Sequence, residues 1–486
     1  MHRRHLLAAA GAPFITLIPG LARAEKPMFS DADLAHAARL RDRALQDTGA
    51  LAMVKGLTQG IGARPAGSPA DAKAVAWALA QCRALGLQQV RAEPLSLRVW
   101  QRGPASAALI APERFDLVVA ALGNSVGTPD GGIEAEIAFY ESYAALKADT
   151  SDRAQGRIVF VDQRTERSRD GAGYSRAAPA RFGSAVEAAR RGALAVVIRS
   201  IGTSGGSSGG SSGGDAPERI AHTGGMRYDD AAARIPALAV SVPDADRIAA
   251  LQGNTTATAA TGPLRLRLQV ANQIGVEAIS HNVIAELPGT DLADEVVLIS
   301  AHLDSWDLGE GAVDNAAGVA IVCSAAGLIR AAGVAPRRTI RVVLFANEEN
   351  GFDGAQAYSQ RYGTQRHQLV GESDFGAGPL YALRSRVSTD ALPAFEAMAQ
   401  VLAPLGAPLA GNDGRPGPDA AMLMRRHQWP GVELSQDGSR YFDVHHTVHD
   451  TFARMDGSAL PQNVAGWAVV AWLAAQAPVA FGPARG

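Results

Sequence analysis

Cysteine is nearly absent: the 486 residues contain two, Cys82 and Cys323, each inside an apolar helical pattern. That excludes a disulfide-stapled scaffold and a thiolate metal site, so any metal must be held by histidine and carboxylate. Charge is scarce as well. Lys and Arg number 46 against 48 Asp and Glu, 19% of the chain together, with a formal net charge of -2. Such a chain has no basic field with which to hold nucleic acid or an anionic membrane. It also lacks repeated uncharged runs of the roughly 20 residues that a spanning helix needs, which excludes a multi-span membrane protein. What it has is apolar mass. At 47% hydrophobic it can fill about three domains, or one large catalytic domain with an insertion, and wholesale disorder is excluded.

The first 24 residues read as an export signal. Met1 to His5 is basic, Leu6 to Gly20 is mostly apolar, and Ala22-Arg23-Ala24 forms a small-x-small cleavage site. Cleavage is expected after Ala24, leaving a periplasmic or secreted protein with no integral span. Arg3-Arg4 ahead of His5-Leu6-Leu7 resembles a twin-arginine signal, the route that exports folded proteins.

Beyond the signal, residues 30–60 have helical patterning, and Ser68-Pro69-Ala70-Asp71 supplies a cap, a first-turn proline and an early acid to a helix ending at Gly86. Strands with turns follow over residues 90–122. Residues 128–262 then alternate short strands and helices of their own, with strands at 157–162, 194–199 and 237–242 and a helix at 184–191. This predicts an inserted domain that divides the main domain into residues 25–127 and 263–486. Inside it, residues 202–215 (GTSGGSSGGSSGGD) have no side chains able to bury area and read as a loop. After Gly262 an α/β rhythm resumes: a buried strand at 296–301, a helix at 316–332 closed by Gly333, and a second buried strand at 339–346. A strand, crossover helix and strand at this spacing form a right-handed parallel unit, whose ligands bind at the carboxyl ends of the strands.

Polar residues cluster at those ends. His302 and Asp304 follow the first strand, Asp314-Asn315 opens the helix, Glu348-Glu349 follows the second strand, and Asp374 ends the next apolar run. A further group, His445-His446-Thr447-Val448-His449-Asp450, lies near the C-terminus. Acids gathered in one crevice repel one another and bind protons unless a cation fixes them as anions. Three carboxylates, Asp314, Glu349 and Asp374, set against two divalent ions leave one positive charge for a hydroxide to balance. A nitrogen and oxygen ligand set without sulfur suits Zn²⁺, and Co²⁺ or Mn²⁺ would be tolerated. Asp304, two positions after His302, has the spacing of a carboxylate that orients a metal-bound imidazole. Neighbours leaving a strand point to opposite sides, so one of Glu348 and Glu349 can bind metal while the other faces the water. Among His445, His446 and His449 the spacing alone does not choose.

The segments AHLDSWDLGEGAVDNAAG (residues 301–318), ANEENG (346–351), ESDFGAG (372–378) and YFDVHHTVHDT (441–451), in this order, resemble the co-catalytic zinc exopeptidases of the carboxypeptidase Q and bacterial aminopeptidase type. The likeness extends to GARPAGSPADAKAVAWALAQCRALGL near the front, and the inserted segment resembles a protease-associated domain. The resemblance implies a three-layer α/β/α peptidase domain with a mixed, largely parallel sheet, plus the inserted α/β domain. It implies two zinc ions, one held by His302 and Asp374, the other by Glu349 and His446, with Asp314 bridging. His446 is chosen over His445 because it stands four residues before Asp450, as in the family's His-Thr-x-x-Asp-Thr. Glu348 would be the general base, Asp304 would orient His302, and the Asp314–Asn315 peptide bond would be cis. Asn315 stands where many members carry an acid. The activity implied is hydrolysis of the first peptide bond of short peptides or dipeptides with a free amino terminus. The rival readings are a one-zinc glutaminyl cyclase and a receptor-like homologue without catalysis. The inserted domain is expected to shape access to the cleft or to mediate pairing with a second copy of the chain.

Overall fold

The computed structural model describes residues 28–46, 48–204, 218–257 and 262–483. The export signal and residues 205–215 of the Gly/Ser segment lie outside the described residues. Two β-sheets organise the chain. In the seven-stranded sheet, Arg338–Phe345, Leu292–His302, His367–Glu372 and Gly431–Gln436 run side by side and parallel. Antiparallel strands flank them: Gln273–Leu287 and then Gln88–Gln101 at one margin, Leu380–Arg386 at the other.

The central strands are buried on both faces, which is why they read as unbroken apolar runs rather than as alternation. Val297, Ile299 and Ala301 turn to a core shared with the helices Asp31–Ala44, Pro69–Ala84, Ala317–Ala331 and Leu460–Gln476. Their neighbours Val296 and Leu298 face a second core, under Asp353–Tyr362 and Pro418–His427. The result is the expected three-layer α/β/α arrangement. Ser68 caps its helix as the sequence predicts, its hydroxyl accepting from the Asp71 amide at 3.1 Å with Pro69 in the first turn. Among the described residues, one stretch, Ala312–Ala331, is long and apolar enough to cross a membrane, and it is wholly buried as a core helix of this layer.

The second sheet has eight strands and reaches beyond residues 128–262 on both sides. Ala105–Ala111 pairs antiparallel with Arg265–Val270, and Phe115–Leu117 and Val119–Ala121 join the same sheet. Apolar cores cover both of its faces. The helix predicted at residues 184–191 is the C-terminal half of a longer one, Ala172–Arg190, that starts well upstream and accommodates Pro179.

His367 shows how far the first body excludes water. Its ring stacks on Trp429 with 3.6 Å between centroids, its Nδ1 lies 2.9 Å from the Gln365 carbonyl, and its Nε2 lies 2.8 Å from the Tyr358 hydroxyl. Burial pushes its pKa down to about 3. An unfolded histidine titrates near 6.5, so between these values only the unfolded chain takes up the proton. The contribution to stability is therefore full above about pH 6.5 and falls on acidification by about 1.4 kcal/mol per pH unit. In urea unfolding of metal-free protein between about pH 6 and 4, the difference in stability between wild type and His367→Phe should change with this slope, about one proton's worth.

Candidate metal centre

The loops leaving the parallel strands carry the candidate ligands to one end of the sheet. His302 is the last residue of Leu292–His302. The chain then turns through Gly311, at φ 62, into Ala312–Ala316, where Asp314 and Asn315 leave helical geometry and their peptide bond is cis, as expected. Glu348 and Glu349 follow Arg338–Phe345, and Asp374 follows His367–Glu372. His445 and His446 follow the short helix Tyr441–Val444, with His446 in the left-handed region at φ 61. Such backbone is costly for a residue with a Cβ and concentrates at functional sites.

Asp314 lies between two imidazoles. Its Oδ1 is 3.1 Å from His302 Nε2, which is also 3.3 Å from Asp374 Oδ1. Its Oδ2 is 3.1 Å from His446 Nε2, which is also 3.2 Å from Glu349 Oε2. Two sets, each of an imidazole and a carboxylate, thus share one carboxylate between them. His445 stacks on His446 with 3.5 Å between centroids, and its Nε2 is 3.4 Å from Asp314 Oδ2. Asp314, His445 and His446 could hold an ion together, but only His446 also reaches Glu349. The geometry favours His446 as the ligand.

The other ring nitrogens decide what can occupy these sets. His302 Nδ1 is 3.0 Å from the Asp304 main-chain carbonyl, and His446 Nδ1 is 3.3 Å from the Thr223 carbonyl. A carbonyl only accepts, so both Nδ1 atoms are the protonated ones, and a neutral ring then turns its Nε2 lone pair toward the carboxylates. Lone pair against anion is repulsive. A cation is required between them, either a second proton on each imidazole or a metal ion. The proton answer registers in the titration behaviour: against burial, Glu349 and Asp314 hold His446 up to about 9, and Asp374 holds His302 well above its usual range. Glu349 is pushed up to about 7 by burial and by Asp314. Asp314 Oδ2, Glu349 Oε1 and Asp374 Oδ1 are buried without a hydrogen bond. These residues fit a metal.

Asp304 faces His302 with both of its acceptors: its carbonyl lies 3.0 Å from Nδ1 and its carboxylate 3.7 Å from the same nitrogen, while the carboxylate also accepts from the Glu348 amide at 3.1 Å. It holds the two strand ends together and steers His302. Asn315 is likewise a tie: its amide donates to the Ser373 carbonyl at 2.9 Å while its oxygen accepts from Gly318 at 3.0 Å. An ionised acid could not make the first of these bonds.

Sequence reasoning missed two supporting residues. Asp450 accepts from the amides of Ala312, Val313 and Asp314 at 2.9, 2.7 and 3.2 Å. Arg64 is fully buried and donates to the carbonyls of Leu303, Glu310 and Gly311 at 2.6, 2.7 and 3.0 Å. Asp450 was visible only as the marker that selects His446, and Arg64 only as a letter in the GARPAGSP segment.

The centre opens on a cavity of about 820 Å³ between the two sheets, lined by Glu348, Asp374 and Phe375 from the first body and by Tyr174, Arg181 and Met226 from the second. The second body also grips the histidine loop directly. His222 Nδ1 lies 2.8 Å from the His445 carbonyl, and the Thr223 amide donates to the His446 carbonyl at 2.9 Å.

Known proteins are similar to this chain in sequence and fold. The profile of Peptidase family M28 matches residues 282–471, the stretch that holds all five candidate ligands. Carboxypeptidase Q of Homo sapiens is 32% identical over 421 residues, covering 86% of this chain and 84% of that protein. A peptidase M28 precursor from Shewanella amazonensis superposes with a TM-score of 0.87 at 41% identity over 94% of this chain and 99% of that one. A zinc aminopeptidase from Bacillus subtilis, at 17% identity and a TM-score of 0.60 over 90% of this chain and 98% of that one, has the same fold. A relative matched along most of both chains, together with a profile resting on the ligand-bearing loops, makes this chain a member of peptidase family M28 and a metallo-exopeptidase.

Proposed function

We propose that the enzyme is a zinc exopeptidase that cleaves the first peptide bond of short peptides or dipeptides bearing a free amino terminus. The observation that carries this reading is the division of Asp314 between two imidazoles whose outer nitrogens are already committed to carbonyls. His302 and Asp374 would hold one zinc ion, Glu349 and His446 a second, and Asp314 both. Zinc bound there supplies Lewis-acid polarisation of a carbonyl and acidifies water to near neutrality. The completeness of both ligand sets counts against the one-zinc cyclase and the non-catalytic receptor.

The remaining steps belong to the chain's own side chains. Glu348 lines the cavity, its main chain is fixed by Asp304, and among the described residues no hydrogen bond or ion pair engages its carboxylate. It is therefore free to take a proton from the attacking water and to return it to the leaving nitrogen. Glu348, Glu349, Glu372 and Asp374 make this end of the cavity acidic, which favours a substrate ammonium beside the scissile bond. Asp304 acts by positioning both His302 and the Glu348 loop. Residues 1–24 are assigned as an export signal directing the protein to the periplasm or beyond. Residues 128–262, with the flanking strands, are assigned as a protease-associated insertion that shapes access to the cleft, a role supported by its share of the cavity wall.

Two outcomes test the reading. Glu348→Gln should keep its metal, measured by mass spectrometry, while turnover on a dipeptide panel falls by at least about a hundredfold; an unchanged rate would remove Glu348 from the role. Chelation should lower the melting temperature markedly, because the buried carboxylates then face one another without cations. Identical melting with and without chelator would contradict a preformed ion site.

A further inference from the structure

Cys82 and Cys323 are the only cysteines of the chain, and the fold brings them together. Cys82 lies on the helix Pro69–Ala84 and Cys323 on the helix Ala317–Ala331; both are buried, at 0% and 1% exposed, in one apolar core. Their thiols are hydrogen-bonded to each other. One turn beyond them, a Cβ placed on Gly327 would lie 2.7 Å from Leu85 Cδ2 and 3.2 Å from Leu85 Cβ. Just past that point, Arg330 Nε donates to the Gly86 carbonyl at 3.2 Å. The contacts advance in the same direction along both segments, so the seam is close and its register is fixed.

Packing alone does not account for the pair. A buried cysteine can serve as a small apolar filler, but alanine does so in the same core at Ala74, Ala78, Ala320 and Ala326. A buried side chain touches roughly 6–12 others, so one given pair among 486 residues meets by chance in about 1–3% of arrangements. That sets coincidence aside. Nor is a metal held there, because among the described residues neither cysteine joins a group of potential ligands. What two sulfurs in contact can make is a bond. Two cysteines cannot staple a scaffold, but they can supply one cross-link.

The position gives such a cross-link a purpose. Ala317–Ala331 leaves the loop that carries Asp314, and Pro69–Ala84 follows the segment from which Arg64 holds that loop. The loop closed, residues 83–322, contains the whole of residues 128–262. Joining points so distant in sequence removes much of the freedom of the unfolded chain.

We propose that Cys82 and Cys323 are a disulfide site, oxidised as the chain folds in the compartment to which export delivers it, and that the bond staples the two helices. The inference rests on the assignment of residues 1–24 as an export signal, since a structural disulfide belongs to an oxidising compartment. The oxidant is of the protein-disulfide class. One chain thiolate attacks a sulfur of the oxidant's disulfide, forming a mixed disulfide and freeing one oxidant thiol; the second attacks the chain sulfur of that intermediate and frees the other. The chain gives up two electrons and two protons, and the oxidant leaves as a dithiol. In the folded chain the hydrogen bond with Cys82 and burial hold the Cys323 thiol well above its usual range, and no oxidant reaches it. The exchange therefore precedes docking of the two helices.

The test is alkylation of the full chain in denaturant, with and without prior reduction, read by mass spectrometry. Protein recovered outside the cytoplasm of a bacterial host should take up no alkyl group before reduction and two after it. Zinc-loaded, it should melt at least about 5 °C above the dithiol form made in a reducing cytosol. Cys82→Ala should erase that difference, and Cys323→Ala serves if the first variant does not fold. Two free thiols in exported wild type, as export of an already folded chain would leave, would overturn the assignment. So would equal melting of the two forms, or a bond found between chains instead of within one. If the chain stays in the cytoplasm, the export reading falls, and the same measurement on full chain made in an oxidising cytosol decides the pair: an internal bond upholds it and two thiols overturn it.

Discussion

One carboxylate shared by two imidazoles is the constraint on which the centre depends. Asp314 can offer an oxygen to each of His302 and His446 only if its loop is held still, and no regular element holds it. Three separate devices do so. Asp450 collects the amides leading into the loop, Arg64 fixes carbonyls on its approach, and Asn315 ties its far side to the strand end that precedes Asp374. Each uses a polar group buried for that purpose, which is acceptable in a core only when the partners are satisfied. The loop is thus rigid through hydrogen bonds at the place where the parallel sheet has stopped supplying its own.

The second sheet completes this support from the other side. His446 has its outer nitrogen beside the Thr223 carbonyl, and Thr223 is in turn held by Arg102 and by the Ala121 carbonyl, 2.9 and 2.7 Å from its hydroxyl. Arg102 also pairs with Asp307 at 2.7 Å, on the loop after His302. Partners of this kind fix the tautomer and orientation of a ligating histidine and influence affinity nearly as much as the ligands themselves. The two bodies therefore meet at the centre itself.

The legible parts of the chain were those written locally. Residues 296–301 and 339–346 lie within strands buried on both faces, so the sequence there is simply apolar, and Ser68-Pro69 states a helix start in two letters. The candidate ligands were visible because they stand where apolar runs stop. What was illegible depends on contacts distant in sequence. The pairing of Ala105–Ala111 with Arg265–Val270 joins segments on either side of the expected insertion, and nothing in either announces the other. Spacing from His302 puts Asp304 close to that ring but does not say that its carbonyl stands nearer than its carboxylate. Arg64 was hidden too, because its partners are main-chain groups that carry no residue identity.

The largest departure from ordinary core chemistry lies just behind Asp374. Asp419 is fully buried with neither carboxylate oxygen hydrogen-bonded, and Glu372, one of whose oxygens accepts from the Ala420 amide at 3.0 Å, is pushed up to about 8 by burial and by Asp374. Asp450 is raised to about 7 by burial and by Asp314. So much unbalanced acidity would destabilise a fold whose purpose was only to be compact, and Arg64, itself lowered to about 10 by burial, is too little to offset it. Local rules that the rest of the chain obeys are broken together at this one end of the sheet. A sequence retains such a conflict where function requires it, and here the conflict is relieved by cations that the polypeptide alone does not supply.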